Sequence, residues 1–413
     1  MDERVVHMFL SLDEELYIGK LYAQNHNGKQ IYSIELSDEF IKSDYGKFKI
    51  DPEIEMYSGR QYLTSNKLIF GFLSDSCPDR WGRLLIRRKE MEEAKKENRK
   101  PKNLMEVDYL LNVYDESRMG ALRFKLDYNG PFLANEKKQS VPPWVYLRTL
   151  EEYSLKFDND EELNDSWIKN LLIPGSSLGG ARPKCSVYSN NDELWIAKFP
   201  SKKDTYDVGA WEAVMNELAL ICNLNVPEFK LEKFSKYGST FLSKRFDRKD
   251  GKRIHTISFM TLLNANDGES SNYSYIDLAS YLKSNSYNPK SDLIELWKRL
   301  VFNMAISNTD DHLRNHSVIL ENKKIQLAPL YDVNPNPYGE RLSLNIDNDD
   351  NLIDTSLLFN TYKYYNLTKE EAIYFYNDIV RKVNENWETI AKKYNINTNS
   401  INFMRPAFNL KLL

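Results

Sequence analysis

The chain has 413 residues and exceeds the roughly 250–300 residues at which a single hydrophobic core stops growing, so two or three subdomains are expected. Hydrophobic residues make up 41% of it, aromatic residues 13% and charged residues 28%, which excludes global disorder. With 56 Lys and Arg against 60 Asp and Glu, the formal net charge of −4 excludes the overall basic field of non-specific nucleic-acid binding and leaves room for a local basic groove.

The first part reads as β-rich. Val5 to Leu12, Glu15 to Ala23 and Ile31 to Leu36 are rich in Val, Ile, Tyr and Phe and are separated by Asp-Glu and Asn-His-Asn-Gly turn signals, which predicts a small antiparallel sheet. The pattern turns helical from Pro78 to Lys96, with Trp81, Leu84 and Leu85 on one face, and a short helix is expected over Leu104 to Leu111. The polar run Asn135 to Pro143 is expected to link to a second domain. Two helical stretches, Leu147 to Leu155 and Glu161 to Leu171, lead into a glycine loop running from Pro174 and Gly175 to Lys184. Strands are predicted at Cys185 to Tyr188 and Glu193 to Lys198, a helix at Gly209 to Cys222, and strands again at Glu228 to Phe234 and Ser239 to Lys244. Past Gly251 the strand signal fades, apart from a short strand at Ser317 to Leu320. Helices are expected at Tyr275 to Leu282, Leu293 to Ile306, Glu370 to Lys382 and Trp387 to Tyr394.

Cys77, Cys185 and Cys222 are too few and too scattered for a disulfide framework or a four-ligand zinc site, which points to a reducing, cytoplasmic setting. No apolar run approaches the 18 or so residues of a membrane span and no signal-peptide pattern opens the chain, so it is expected to be neither exported nor membrane-embedded.

Five features could carry chemistry. Gly179 and Gly180, lacking a Cβ, would let backbone N–H groups approach phosphate oxygens, although Ala181 stands where a Walker A loop needs lysine. Asp310 and Asn315 have the D-x-x-x-x-N spacing of a protein-kinase catalytic loop, in which the aspartate orients a hydroxyl and accepts its proton while the asparagine ligates Mg²⁺. Asp332, at the end of an apolar run, would be the second Mg²⁺ ligand. Lys198 ends a strand and could reach nucleotide phosphates if held by a glutamate on the next helix. Glu217 is preferred over Glu212 for that role because it sits deeper in the amphipathic run. Each feature alone has a plainer reading: a tight turn, a helix end in a solvated loop, a capping aspartate, a solvated lysine. Their joint occurrence in one order is what argues for phosphoryl transfer. His312 and His316 are four apart, but Leu313 replaces the glutamate of H-E-x-x-H, and Asp347, Asp349 and Asn351 lack the glycine and glutamate of a calcium loop.

These residues resemble the HipA-type serine/threonine kinases, toxins of bacterial toxin–antitoxin modules. The carriers are Ser177-Leu178-Gly179-Gly180-Ala181-Arg182-Pro183-Lys184, the Asn308-Thr309-Asp310-x-His312-x-Arg314-Asn315 loop and Leu327-Ala328-Pro329-Leu330-Tyr331-Asp332, joined by Phe70 to Gly82 and Met119 to Phe124. The resemblance implies an α+β, kinase-like bilobed fold: a β-rich N-terminal subdomain (1–140), an N-lobe with glycine loop and hinge (141–250) and a mostly helical C-lobe (251–413). It implies Asp310 as the catalytic residue and Asn315 and Asp332 as Mg²⁺ ligands. Nucleotide contacts would come from Ser177, Leu178, Gly179, Gly180, Ala181, Lys184, Lys198, Glu217, Ser243, Lys244, Phe246, His312, Asn315 and Asp332. It further implies ATP and Mg²⁺ as cofactors, autophosphorylation at Ser177, with Ser176 the rival acceptor, and a HipB-like DNA-binding antitoxin as partner. The implied substrate is a protein, such as an aminoacyl-tRNA synthetase. The competing readings are a degenerate kinase-like module that docks an antitoxin or target, and a small-molecule or lipid kinase. Asp311 is the rival carboxylate, and Asp311→Asn is expected to be much milder than Asp310→Asn.

Overall fold

The computed structural model describes residues 3–26, 29–134, 141–159, 171, 175 and 182–413. The chain divides into two compact units, one of residues 1–202 with 244–257 and the other of 203–243 with 258–413.

In the first unit, β1 (Glu3–Ser11), β2 (Glu15–His26), β3 (Lys29–Leu36), β4 (Arg60–Tyr62) and β5 (Leu122–Lys125) form an antiparallel sheet ordered β4-β3-β2-β1-β5. Its register brings Gly19 against Leu36, and a Cβ at Gly19 would sit 2.0 Å from Glu35 O, so only glycine fits there. The short helices α1 (Asp38–Lys42) and α2 (Gly71–Ser74) follow β3 and β4, and α3 (Arg80–Lys96) comes next. Asp79 caps α3 by accepting from Arg80 N. Its buried stripe is Trp81, Leu85 and Ile86, which packs with Tyr109 of α4 (Glu106–Asn112) and Phe157 of α5 (Leu147–Phe157). Leu84, expected on that stripe, is 49% exposed, because the i,i+4 step from Trp81 falls on Leu85.

Trp81 Nε1 donates to Lys184 O at 2.9 Å, joining α3 to the hairpin of β6 (Lys184–Tyr188) and β7 (Leu194–Lys198). A Cβ at Gly175 would lie 2.9 Å from that same carbonyl and 3.2 Å from Trp81 Nε1, so the chain passes there without a side chain.

A buried charge network completes this unit. Asp247 accepts from Arg245 Nε at 2.7 Å, from Arg248 Nη1 at 2.8 Å and from Gly120 N at 2.7 Å. Arg245 Nη1 and Nη2 also donate to Ser117 O and Arg118 O. Gly120, with φ +71°, takes the left-handed conformation that lets its N–H turn toward the carboxylate. The Met119 to Phe124 run thus anchors on the segment carrying β10 (Arg248–Lys249) and β11 (Lys252–Arg253). β12 (His255–Ser258) ends that segment.

The second unit is mostly helical. α6 (Val208–Ile221) precedes a hairpin of β8 (Phe229–Glu232) and β9 (Thr240–Lys244). After the single turn α7 (Phe259–Leu262) come α8 (Tyr275–Asn285), α9 (Pro289–Ala305), α10 (Thr355–Thr361), α11 (Lys369–Lys393) and α12 (Thr398–Met404). β13 (Ser317–Glu321) and β14 (Lys324–Leu327) form a hairpin whose turn residues Asn322 and Lys323 both have positive φ, the geometry that matches strand twist. The two helices expected at 370–382 and 387–394 are one: Val383 and Trp387, four residues apart, are both buried and carry α11 through a polar stretch of low helix propensity. Trp387 stacks on Phe408 with ring centroids 4.4 Å apart.

Among the described residues no helix is long and apolar enough to cross a membrane.

Candidate active site

α9 ends with Ser307 in the left-handed conformation, φ +50°, and Asn308 N closes the turn onto Asn303 O at 2.8 Å. This cap ejects the chain into the 309–316 loop. Asp310 stands outward, with 79% of its side chain exposed, while Asp311 turns inward and is 1% exposed. Asn315 Nδ2 donates to Asp310 O at 2.7 Å, which ties the two predicted site residues together across the loop. His312 Nε2 lies 3.8 Å from Asp310 Oδ1.

Asp311 accepts from the Tyr275 hydroxyl on Oδ2 and from Ser343 N on Oδ1, both at 2.7 Å. Burial pushes its carboxyl up to about 7 against the downward pull of these donors and of the Asp311 and Leu344 backbone amides. Its carbonyl accepts from His316 Nε2 at 3.2 Å. Burial, helped by the Arg299 charge, lowers His316 to about 3, so its ring is neutral near neutral pH. This network leaves no local pattern in the sequence, because Tyr275 and Ser343 are 36 and 32 residues from Asp311.

Asp332 is held behind the loop by backbone contacts on either side of its apolar run. Arg299 Nη2 donates to Ala328 O at 2.8 Å, Ala328 N to Ser317 O at 2.9 Å and Leu330 N to Asn225 O at 2.7 Å. The Tyr331 hydroxyl donates to Arg314 O at 2.7 Å, so the residues preceding Asp332 and Asn315 are joined. Asp332 itself has φ +58°, a sparsely populated conformation that aspartate tolerates better than most residues.

These side chains suit a hard cation. Because its Nδ2 is committed to Asp310 O, Asn315 keeps Oδ1 as its acceptor atom. Asn334 Oδ1, two residues past Asp332, is buried with no hydrogen-bond partner among the described residues. Amide and carboxylate oxygens of this kind are Mg²⁺ ligands, and the ion usually completes its shell with substrate phosphates and water. Asp347, the other acidic candidate, accepts from Asp349 N and Asp350 N within its own turn, while Asp350 pairs with Arg341.

The predicted nucleotide contacts Lys184 and Lys198 lie in the first unit, directly opposite each other in the β6–β7 register. Directly opposed residues share a face, and like charges so placed are unfavourable unless an anion lies between or beside them. Lys244 of the predicted hinge pairs with Glu193, and Ser243 and Phe246 are half-buried. Glu217 has a different partner from the one expected: it accepts from Lys393 Nζ at 2.7 and 2.8 Å. The enclosed carboxylate of α6 is Glu212, at 3% exposure. The amphipathic ranking failed because α6 is buried on nearly every side from Gly209 to Ala219. Ser176, Ser177, Leu178, Gly179, Gly180 and Ala181 lie outside the described residues.

Residues 176–387 match the HipA-like C-terminal domain. The chain belongs to that family. The loop of Asp310 and Asn315 and the run ending in Asp332 both fall inside the matched segment of this HipA-like chain. It is 26% identical over 185 residues to the Y4dM protein of Sinorhizobium fredii, provisionally designated a kinase, covering 41% of each chain. A protein of Haemophilus influenzae with the same provisional designation is 27% identical over 195 residues, 42% of this chain and 57% of the relative. The match thus spans about half the length of these curated relatives. Among solved structures, HipA of Shewanella oneidensis, determined with HipB and its operator DNA, aligns with a TM-score of 0.65 and 18% identity, covering 97% of this chain and 94% of that one. The fold is therefore the α+β fold of HipA, as the resemblance implied.

Proposed function

We propose that the chain is an ATP- and Mg²⁺-dependent protein serine/threonine kinase that acts as the toxin of a bacterial toxin–antitoxin pair. The observation that carries this reading is the Asp310–Asn315 linkage: an exposed carboxylate on a residue whose backbone carbonyl holds the Asn315 amide nitrogen and leaves the amide oxygen as an acceptor. In this reading Asp310 orients the acceptor hydroxyl and takes its proton, while Asn315 and Asp332 hold the metal. Lys184 and Lys198 bind phosphate oxygens. Bound Mg²⁺ would neutralise charge developing on the transferred phosphoryl group. Glu212 replaces Glu217 as the helix carboxylate of this reading.

The structural likeness to a HipA determined with HipB and operator DNA supports a HipB-like DNA-binding antitoxin as partner. The substrate follows from the family resemblance: a protein of the translation machinery, with an aminoacyl-tRNA synthetase the first to test. Autophosphorylation at Ser177 or Ser176 would place about −1.5 to −2 charges in a phosphate-binding loop and shut the enzyme off. The test is incubation of the chain with γ-labelled ATP, Mg²⁺ and bacterial lysate. Label on serine or threonine of lysate protein is expected, and label confined to lipids or small molecules would refute the protein-kinase assignment.

A further inference from the structure

Asp310 is flanked on both sides by polar contacts, half-buried at Thr309 and buried at Asp311. On one side, Thr309 O accepts from Ser343 Oγ at 2.7 Å and Thr309 Oγ1 accepts from Asn336 Nδ2 at 2.8 Å. A Cβ on Gly339 would fall 2.5 Å from Thr309 Cγ2, so the 336–343 segment lies directly on this residue. On the other side is Asp311, which accepts from Tyr275 of α8 and from Ser343 N. The Tyr275 hydroxyl also accepts from Asn303 Nδ2 at 2.8 Å, and Asn303 Oδ1 accepts from Asn308 Nδ2 at 3.1 Å. The chain of bonds leaves the loop at Asp311, crosses α8 and α9, and returns to the loop at Asn308.

We propose that Asp311 is a positioning residue: its carboxylate, gripped by Tyr275 and Ser343 N, fixes the backbone from which Asp310 is presented to the acceptor hydroxyl. The inference rests on the phosphotransferase reading. A carboxylate is what the place requires. It faces an O–H donor on one oxygen and an N–H donor on the other, and an asparagine could accept from only one of them while turning its own N–H₂ toward the second. No cation pairs with the carboxylate among the described residues, so burying it costs more than burying a neutral group would. That cost is matched by joining three separate segments at one point next to Asp310. Misplacement of a catalytic group by about 1 Å lowers rate by roughly 100-fold, so the bonds need only move the loop slightly to matter.

Tyr275→Phe removes one donor and leaves the ring, and Asp311→Asn misdirects one half of the carboxyl. For both variants kcat should fall roughly 10- to 100-fold while KM for ATP stays within about twofold, because the loop is misaligned and the phosphate-binding residues are untouched. Amide hydrogen exchange over residues 309–316 should speed up in both, in protein shown to be folded by circular dichroism. If Asp311→Asn does not fold, Tyr275→Phe decides alone. Wild-type kcat and wild-type exchange in folded Tyr275→Phe would overturn the inference, as would a fall in kcat matched by an equal rise in KM. If the wild-type chain transfers no phosphate, the functional reading fails, and the exchange measurement still decides whether Tyr275 and Asp311 hold the loop.

Discussion

Asp247 in the first unit and Asp311 in the second are buried to the same degree, at 0% and 1% exposure, in opposite company. Asp247 lies between Arg245 and Arg248. Burial raises its carboxyl, but the two guanidinium charges outweigh that and hold it well below the usual carboxylate range. Asp311 meets a phenol and backbone amides with no cation among them, and burial carries it up to about 7. Burial therefore does not fix charge; partners do. The first aspartate is part of a permanently ionic joint, and the second sits near the balance point in the loop assigned to chemistry.

The largest effect expected from this contrast is on Asp247. Asp247→Asn leaves Arg245 and Arg248 buried without a counter-charge and should cost about 3–5 kcal/mol of unfolding free energy, measured by urea denaturation. Asp311→Asn should cost less, about 1–3 kcal/mol, since it disturbs hydrogen bonds to neutral donors and leaves no ion stranded. The expectation from sequence concerned phosphoryl transfer, with Asp311→Asn milder than Asp310→Asn; the burial of Asp311 adds a stability cost to that substitution. Equal losses at the two positions would break the comparison.

The pH dependence should then differ in sign. Asp247, depressed in the folded state, contributes stability that is present above about pH 4 and is lost as the pH falls further. Asp311, raised in the folded state, favours folding most below about pH 4, and its contribution declines as the pH rises toward 7. Unfolding free energies of wild type and Asp311→Asn across this range should therefore differ in slope, the variant losing the decline. Parallel curves would contradict the assignment of Asp311 as an isolated buried carboxyl. The smallest effect belongs to Glu217, whose pair with the largely exposed Lys393 should make Glu217→Gln cost less than about 1 kcal/mol.

Much of the fold is legible in local pattern. The first three strands follow from alternation and turn residues, and α9 from its apolar face and the Asn288-Pro289 start, where Asn288 caps and Pro289 occupies the first turn. The spacing of Asp310 and Asn315 is legible for the same reason: five residues of loop suffice to bring the amide onto the carbonyl. What pattern could not show depends on distant partners. Glu217 and Glu212 are distinguished by Lys393 and by the burial of α6 on almost all sides, neither of which leaves a periodic trace. The inward turn of Asp311 depends on Tyr275 and Ser343, and Trp81 owes its role to a carbonyl 103 residues away.

The most direct test compares wild type with Asp310→Asn in phosphoryl transfer from γ-labelled ATP, alongside calorimetric titration of ATP with Mg²⁺. The amide keeps the shape of the side chain and cannot accept the hydroxyl proton, so transfer should fall roughly 100- to 10,000-fold while ATP affinity and melting temperature stay close to wild type. Transfer by Asp310→Asn at the wild-type rate would contradict the account.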